Sequence, residues 1–319
     1  MSSKQQTRSR CLQVLARQVL TAACLTVSAL AVSQECPDID ADIMQLLDAM
    51  AANSQRIEYS GVVTLQRGGD MQIMEISHRV NDGRATEQLA RLTGQDALVE
   101  RAGHPTNCVH PGHQLLKSGH LFNGSFCGLS SAYRFRLVPG ERVAGRQAVR
   151  LRVEPRDMYR FGYVFELDTE TALMLKSSTL ASDQRVIEEF QFASLNMRAD
   201  AMEAAQTQHQ TGHPHPHETA HLRSGPAWEP AWLPAGFMPT DTAPHDSPRK
   251  TYTDGLASFS VFLEPLANAI KPGEGVERQG STVAYTRGVA LKRRPVLITV
   301  LGEVPTNTAR MVADSVRLR

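Results

Sequence analysis

Between Tyr133 and Leu195 the chain passes through five short segments, YRFRLV, AVRLRVEP, YVFELD, ALMLKSSTL and RVIEEFQFASL, parted by the turn-forming stretches PGERVAGRQ, RDMYRFG, TET and ASDQ. Val149, Leu151 and Val153 alternate with Arg150 and Arg152, and Tyr163, Phe165 and Leu167 alternate with Val164 and Glu166. A period of two marks strands that bury one face, and short links make successive strands antiparallel neighbours. The region therefore predicts an antiparallel meander. Its edges must be closed or covered, because an exposed apolar edge recruits other chains.

Upstream, Asp40 to Arg56 reads as a helix, with Ile43, Leu46, Leu47 and Met50 at helical spacing and Asp40 at the N-cap. IEYSGVVTLQR and MQIMEISHRV follow, joined at Gly68, Gly69 and Asp70, which is hairpin chemistry. Tyr59, Val63 and Leu65 share one face of the first strand, and Ile76 faces them from the second. Helix, hairpin and meander together predict a strongly curved antiparallel sheet wrapped over a helix. From Trp228 onward WLPAGFMPT, ASFSVFLEP, STVAYTRGV and VLITVLGE read as strands. PTNTARMVADSVR reads as a closing helix, with Thr306 as N-cap and Met311, Val312, Ser315 and Val316 on or near its inner face. Asp254 and Gly255 read as turn formers, and Glu188 and Glu189 as a solvent face or a bulge. The fold class is thus α+β, with a second small α+β domain at the carboxy terminus.

Composition divides the rest. Lys4, Arg8, Arg10 and Arg17 precede an apolar run from Val19 to Val32 with small residues at Ala29, Ala31 and Ser33, the pattern of a secretory signal over residues 1–33. The run is shorter than the roughly 20 residues of a spanning helix. Residues 199–226 mix His, Pro and Gly with almost no large apolar side chain and read as a linker, which places the domains at 38–198 and 227–319. His209, His213, His215, His217 and His221 lie in that tract, but a Pro-interrupted segment lacks a framework to orient metal ligands. The cluster of Cys108, His110 and His113, with His104 and His120 nearby, lacks the paired spacing of zinc ribbons, so no metal is expected there. Three of the five cysteines, Cys36, Cys108 and Cys127, lie beyond the signal. An oxidising compartment permits a Cys108–Cys127 bridge, with the pairing left open.

A net charge of +1 argues against bulk nucleic-acid binding. No GxSxG, HExxH, Walker or GxGxxG motif occurs, so neither an enzyme nor a cofactor is expected. Charge does gather between Arg134 and Arg160, where eight arginines (134, 136, 142, 146, 150, 152, 156 and 160) outnumber Glu141, Glu154 and Asp157. Guanidinium forks suit phosphates and carboxylates, which makes Arg134, Arg136, Arg150, Arg152, Arg156 and Arg160 candidates for an anionic ligand.

The segment RVAGRQAVRLRVEPRDMYRFGYVFELDTETALMLKSS closely resembles the sigma-E factor regulatory proteins of Gram-negative bacteria, the RseB/MucB family. TYTDGLASFSVFLEP, VAYTRGV and ITVLGEVPTNTARMVADSVR resemble that family's carboxy-terminal domain in the same order. The resemblance implies an open β-barrel first domain similar to periplasmic lipoprotein carriers, and a soluble periplasmic protein that forms dimers or larger assemblies. It also implies a negative regulator that binds the periplasmic part of a membrane-spanning anti-sigma factor, shields it from proteolysis, and lets go on sensing mislocalised lipid or envelope damage. Strand phase supplies the candidates for a lipid cavity: Tyr59, Val63, Leu65, Ile76, Val149, Leu151, Val153, Tyr163, Phe165 and Leu167. With a basic rim, such a surface has the chemistry to take acyl chains attached to phosphates, as in lipopolysaccharide. The alternative is a periplasmic lipid or lipoprotein carrier using the same sheet for transport.

Overall fold

The computed structural model describes residues 39–54, 56–81, 84–94, 98–102, 127–197, 227–240, 244–267 and 273–319. Helix α1 (Ala41–Asn53) forms where Ala, Leu and Met dominate and buries Ile43, Leu47 and Met50. Asp40 stands at its N-cap in an extended conformation, and its backbone carbonyl accepts from the Ile43 and Met44 N–H groups, while its side chain makes no capping bond.

Strands β1 (Tyr59–Arg67) and β2 (Asp70–Asn81) form the expected hairpin, and β3 (Arg84–Arg91) and β4 (Leu98–Ala102) extend it. A single short turn of helix, α2 (Cys127–Ser130), leads into β5 (Tyr133–Pro139), β6 (Ala148–Pro155), β7 (Gly162–Asp168), β8 (Met174–Leu180) and β9 (Val186–Asn196). Strand β9 returns beside β1, so the order is β4-β3-β2-β1-β9-β8-β7-β6-β5. Every neighbouring pair is antiparallel, and among the described residues the sheet does not close. Its inner face carries Leu151, Val153, Tyr163, Phe165 and Leu167, which pack with Ile43, Leu47 and Met50 of α1 into one core. Val63, Leu65, Ile76, Phe190 and Phe192 form a second cluster under β1, β2 and β9.

The carboxy-terminal part begins with β10 (Trp228–Pro230), which pairs with the last strand, β17 (Val316–Leu318). Between them lie β11 (Met238–Pro239), β12 (Arg249–Thr253), β13 (Ser258–Pro265), β14 (Gly273–Gln279), β15 (Thr282–Leu291) and β16 (Arg294–Gly302) in a sheet of order β11-β12-β13-β16-β15-β14. Helix α3 (Thr306–Ser315) covers one face of this sheet with Thr308, Ala309, Val312 and Ala313. The N-cap is Pro305, one residue before the expected Thr306, and Met311 is 38 % exposed because the buried stripe runs through 308, 309, 312 and 313 instead. Among the described residues no helix is long and apolar enough to cross a membrane.

Candidate functional site

Two turns of the six-stranded sheet meet the inner face of the nine-stranded one. The first links β12 to β13 and carries Asp254 to Ala257. Leu256, 1 % exposed, is buried in the same cluster as α1, Tyr133 and Tyr163. Asp254 lies under it with no exposed side-chain surface. Its carboxylate accepts from Arg160 Nη1 at 2.7 Å, Tyr133 Oη at 3.0 Å, and the backbone N–H groups of Leu256 and Ala257 at 2.9 and 2.8 Å. Burial pushes the Asp254 carboxyl up, while Arg160 and those N–H groups pull the other way. Arg160 also forks onto Asp157 at 3.0 and 3.1 Å, donates to the Ala235 carbonyl at 2.6 Å, and stands over the rings of Tyr133 and Phe237 at 5.5 and 5.2 Å.

The second turn links β14 to β15. Ser281 donates to Glu188 Oε2 through both its backbone N–H, at 3.0 Å, and its hydroxyl, at 2.7 Å. Glu188 is 5 % exposed and also takes Arg67 Nε at 3.1 Å. On the opposite flank, the Thr308 hydroxyl of α3 donates to the Tyr159 carbonyl at 2.9 Å, and the Tyr159 ring meets Trp232 edge-on. Beside these contacts the hydroxyls of Tyr163, Ser177 and Thr179 are buried without a hydrogen-bond partner among the described residues.

The ten candidate cavity residues divide once α1 is in place. Leu151, Val153, Tyr163, Phe165 and Leu167 are covered by the helix core, with Val149 half-buried at its margin. Val63 and Leu65 are buried in the second cluster. Tyr59 and Ile76 line a cavity of about 40 Å³, together with Met50, Ser54, Leu173, Met174, Phe190 and Phe192. Such a volume holds a few water molecules, so an acyl chain enters only if α1 or the aromatic rings shift. Tyr59 stacks on His78, and its phenol is pushed up by burial and by Glu87.

The arginines divide as sharply. Arg160 is fully buried between the two sheets and so belongs to no exposed rim. Arg156 Nε donates to the carbonyls of Ser130 and Tyr133. Arg150 joins Glu166 at 2.5 Å and Glu141 at 2.7 Å, and its hydrogen bond holds the Glu141 carboxyl below the ordinary range. Arg134, Arg136 and Arg152 occupy the outer face of β5 and β6, opposite the inner-face candidates. The inner-face apolar candidates and Arg134, Arg136, Arg150 and Arg152 thus lie on opposite sides of the sheet. The reason is strand alternation: Arg150 and Arg152 are out of phase with Leu151 and Val153.

Asp254 was read as a turn former and Glu188 as lying on a solvent face or in a bulge; the pairing with β8 does shift register next to Glu188, but its burial overturns the solvent face. Asp254 does shape its turn, but it also anchors Arg160. Nothing local in the sequence signals partners so distant. Cys108, the side chain of Cys127, and the histidines at 104–120 and 209–221 lie outside the described residues, as do residues 1–38.

Comparison with known proteins places these features in a lineage. Two family models match in order, MucB/RseB N-terminal domain over residues 42–211 and MucB/RseB C-terminal domain over residues 223–317. The chain is 36 % identical to the sigma factor AlgU regulatory protein MucB of Pseudomonas aeruginosa, covering 87 % of this chain and 91 % of that protein. It is 28 % identical to the sigma-E factor regulatory protein RseB of Escherichia coli over 85 % of this chain and 89 % of that protein. Among solved structures, the complex of Pseudomonas aeruginosa MucA and MucB matches with a TM-score of 0.69 at 35 % identity, over 88 % of this chain and 99 % of that chain.

Proposed function

The chain belongs to the MucB/RseB family, and from that premise we propose that it is a periplasmic negative regulator of a sigma-E-type envelope stress response. It binds the periplasmic domain of a membrane-spanning anti-sigma factor and shields that domain from proteolysis. The observation that carries this reading is the likeness to MucB in a solved complex with MucA, which spans both sheets rather than one. We further assign residues 38–198 and 227–319 to two domains joined through 199–226, with assembly into dimers or larger.

Release follows from a lipid, with lipopolysaccharide the leading candidate. A ligand that binds the free and bound regulator equally shifts nothing, so the lipid must prefer the released state. The cavity beside Tyr59 and Ile76 supports an entry point, because a shift of α1 that opened it would disturb a core to which Leu256 of the carboxy-terminal sheet also belongs.

The test is a pull-down of the purified protein with the periplasmic part of the anti-sigma factor from the same organism, with and without lipopolysaccharide. Binding that lipopolysaccharide displaces supports the regulator and its switch. Retention of lipid with no binding to the anti-sigma factor would replace this reading with a lipid or lipoprotein carrier.

A further inference from the structure

Of the eight arginines between 134 and 160, the structure gives five a structural task. Arg142 donates to the Gly145 carbonyl in its turn, Arg146 forks onto Asp168, Arg150 joins Glu141 and Glu166, Arg156 ties down backbone carbonyls, and Arg160 locks onto Asp254. Arg134, Arg136 and Arg152 remain, the last holding only a long hydrogen bond from its Nη2 to Gln184 Oε1 at 3.4 Å. Arg136 and Arg152 stand directly opposite each other across β5 and β6. Like charges in that position repel and weaken a strand pair. One carboxylate, Glu154, serves both, at 3.8 Å from Arg136 Nε and 3.4 Å from Arg152 Nε. The second contact is not a hydrogen bond: Arg152 Nε is buried and has no hydrogen-bond partner among the described residues. Arg134 lies opposite Glu154 with no ion pair to it. The cluster is short of anions and carries an orphaned donor.

Its position says what shape of anion fits. Strand β5 ends the order of the nine-stranded sheet, so among the described residues it has a strand neighbour on one side only. Arg134 and Arg136 project from one face of that edge strand, two residues and thus about 6.8 Å apart. Val138 continues the same row and is 37 % exposed. An extended peptide added along β5 sets its alternate side chains about 5 Å from this row. We propose that the β5 edge binds an extended acidic peptide, in which carboxylates at alternate positions meet Arg134, Arg136 and Arg152 while the peptide backbone pairs with β5. This goes beyond the regulatory reading and does not depend on which protein supplies the peptide. A lipid phosphate is less well matched, since these arginines lie across the sheet from the apolar cavity and cannot serve one lipid's head and tails together.

Fluorescence anisotropy with a labelled peptide alternating Glu and Thr tests the proposal, beside a Lys–Thr counterpart and a Glu–Thr peptide with alternate backbone nitrogens methylated. The Glu–Thr peptide is expected to bind, with affinity lowered at least about tenfold in the double variant Arg136→Gln, Arg152→Gln. The methylated and Lys–Thr peptides are expected not to bind. Equal affinity for parent and double variant overturns the proposal, as does equal binding of the methylated peptide, which would indicate charge attraction without strand addition. Phosphatidylglycerol vesicles captured by the parent but not the variant, with no peptide binding, would assign the cluster to lipid headgroups instead. The double variant is expected to melt at or above the parent temperature, because it removes a like-charge pair. A fall of several degrees would give the arginines a structural role and overturn the assignment.

Discussion

Arg160 and Asp254 are 94 residues apart in sequence and 2.7 Å apart in space, both without exposed side-chain surface. Removing one partner of such a pair leaves an uncompensated charge in the core, which costs about 3–5 kcal/mol. Asp254→Ala is expected to lose that much in urea unfolding, whereas Arg160→Met with Asp254→Leu recovers a large part of it, since both charges are then gone. A loss below about 1 kcal/mol for Asp254→Ala would show that the pair does not hold the two sheets together. Asp168 supplies a pH dependence of definite sign. Burial pushes its carboxyl up, but the two-pronged Arg146 and the Thr171 hydroxyl outweigh this and hold it below its ordinary 3.8. A depressed carboxyl contributes stability that is complete above its unfolded value and is lost as pH falls through the folded one. Thermal melts from about pH 6 down to about pH 2 are therefore expected to fall less steeply for Asp168→Asn than for the parent, with the parent's advantage at pH 6 closing below about pH 4.

At the scale of elements, period-two alternation located β5 to β9 in the chain, although β7 and β8 are buried along nearly their whole length, and it carried no sign that β9 returns beside β1. Strands β3 and β14 left no such trace. Among its described side chains RATEQLAR offers one buried apolar group, Leu89, and GEGVERQ is exposed along its whole length with two glycines, so neither shows an apolar row for periodicity to detect. Helix α3 was found from its 3.6-residue pattern, but the stripe was set one step off at Met311. Its polar member Thr308 is buried because its hydroxyl donates to the Tyr159 carbonyl, a partner 149 residues away. The candidate site was legible in the same measure. Strand phase set Arg150 and Arg152 out of step with Leu151 and Val153, and a helix under the sheet was expected, yet nothing in that phase showed that α1 would fill the face assigned to a lipid cavity. It had no means of telling the arginines with structural partners from those without.

Across the whole molecule, each sheet has its own core, but a few buried groups are shared between them. Leu256 belongs to the α1 cluster, Asp254 neutralises Arg160, and Ser281 satisfies Glu188, so neither sheet can unfold without uncovering buried charge in the other. Multidomain chains commonly unfold in separate steps, but shared buried groups couple them. Calorimetry is accordingly expected to give a single transition for the parent protein. Gly280 tests the coupling from the other turn. Its φ of +59° suits glycine, and a Cβ there would lie 2.5 Å from Glu188 Oε2, so Gly280→Ala pushes the turn away from its acceptor. Combined with Asp254→Ala, it is expected to split the transition in two; two transitions in the parent would sink the account of coupling through shared buried groups. The same coupling decides how a partner site is to be mapped. A chain cut before residue 227 loses Asp254, Leu256 and Ser281 together, which strips Arg160 of one of its two carboxylates, Glu188 of its serine donors and the α1 core of part of its cover. Failure of such a fragment to bind lipid or protein would report a damaged fold, so only point variants on exposed faces can separate a regulator's two binding functions.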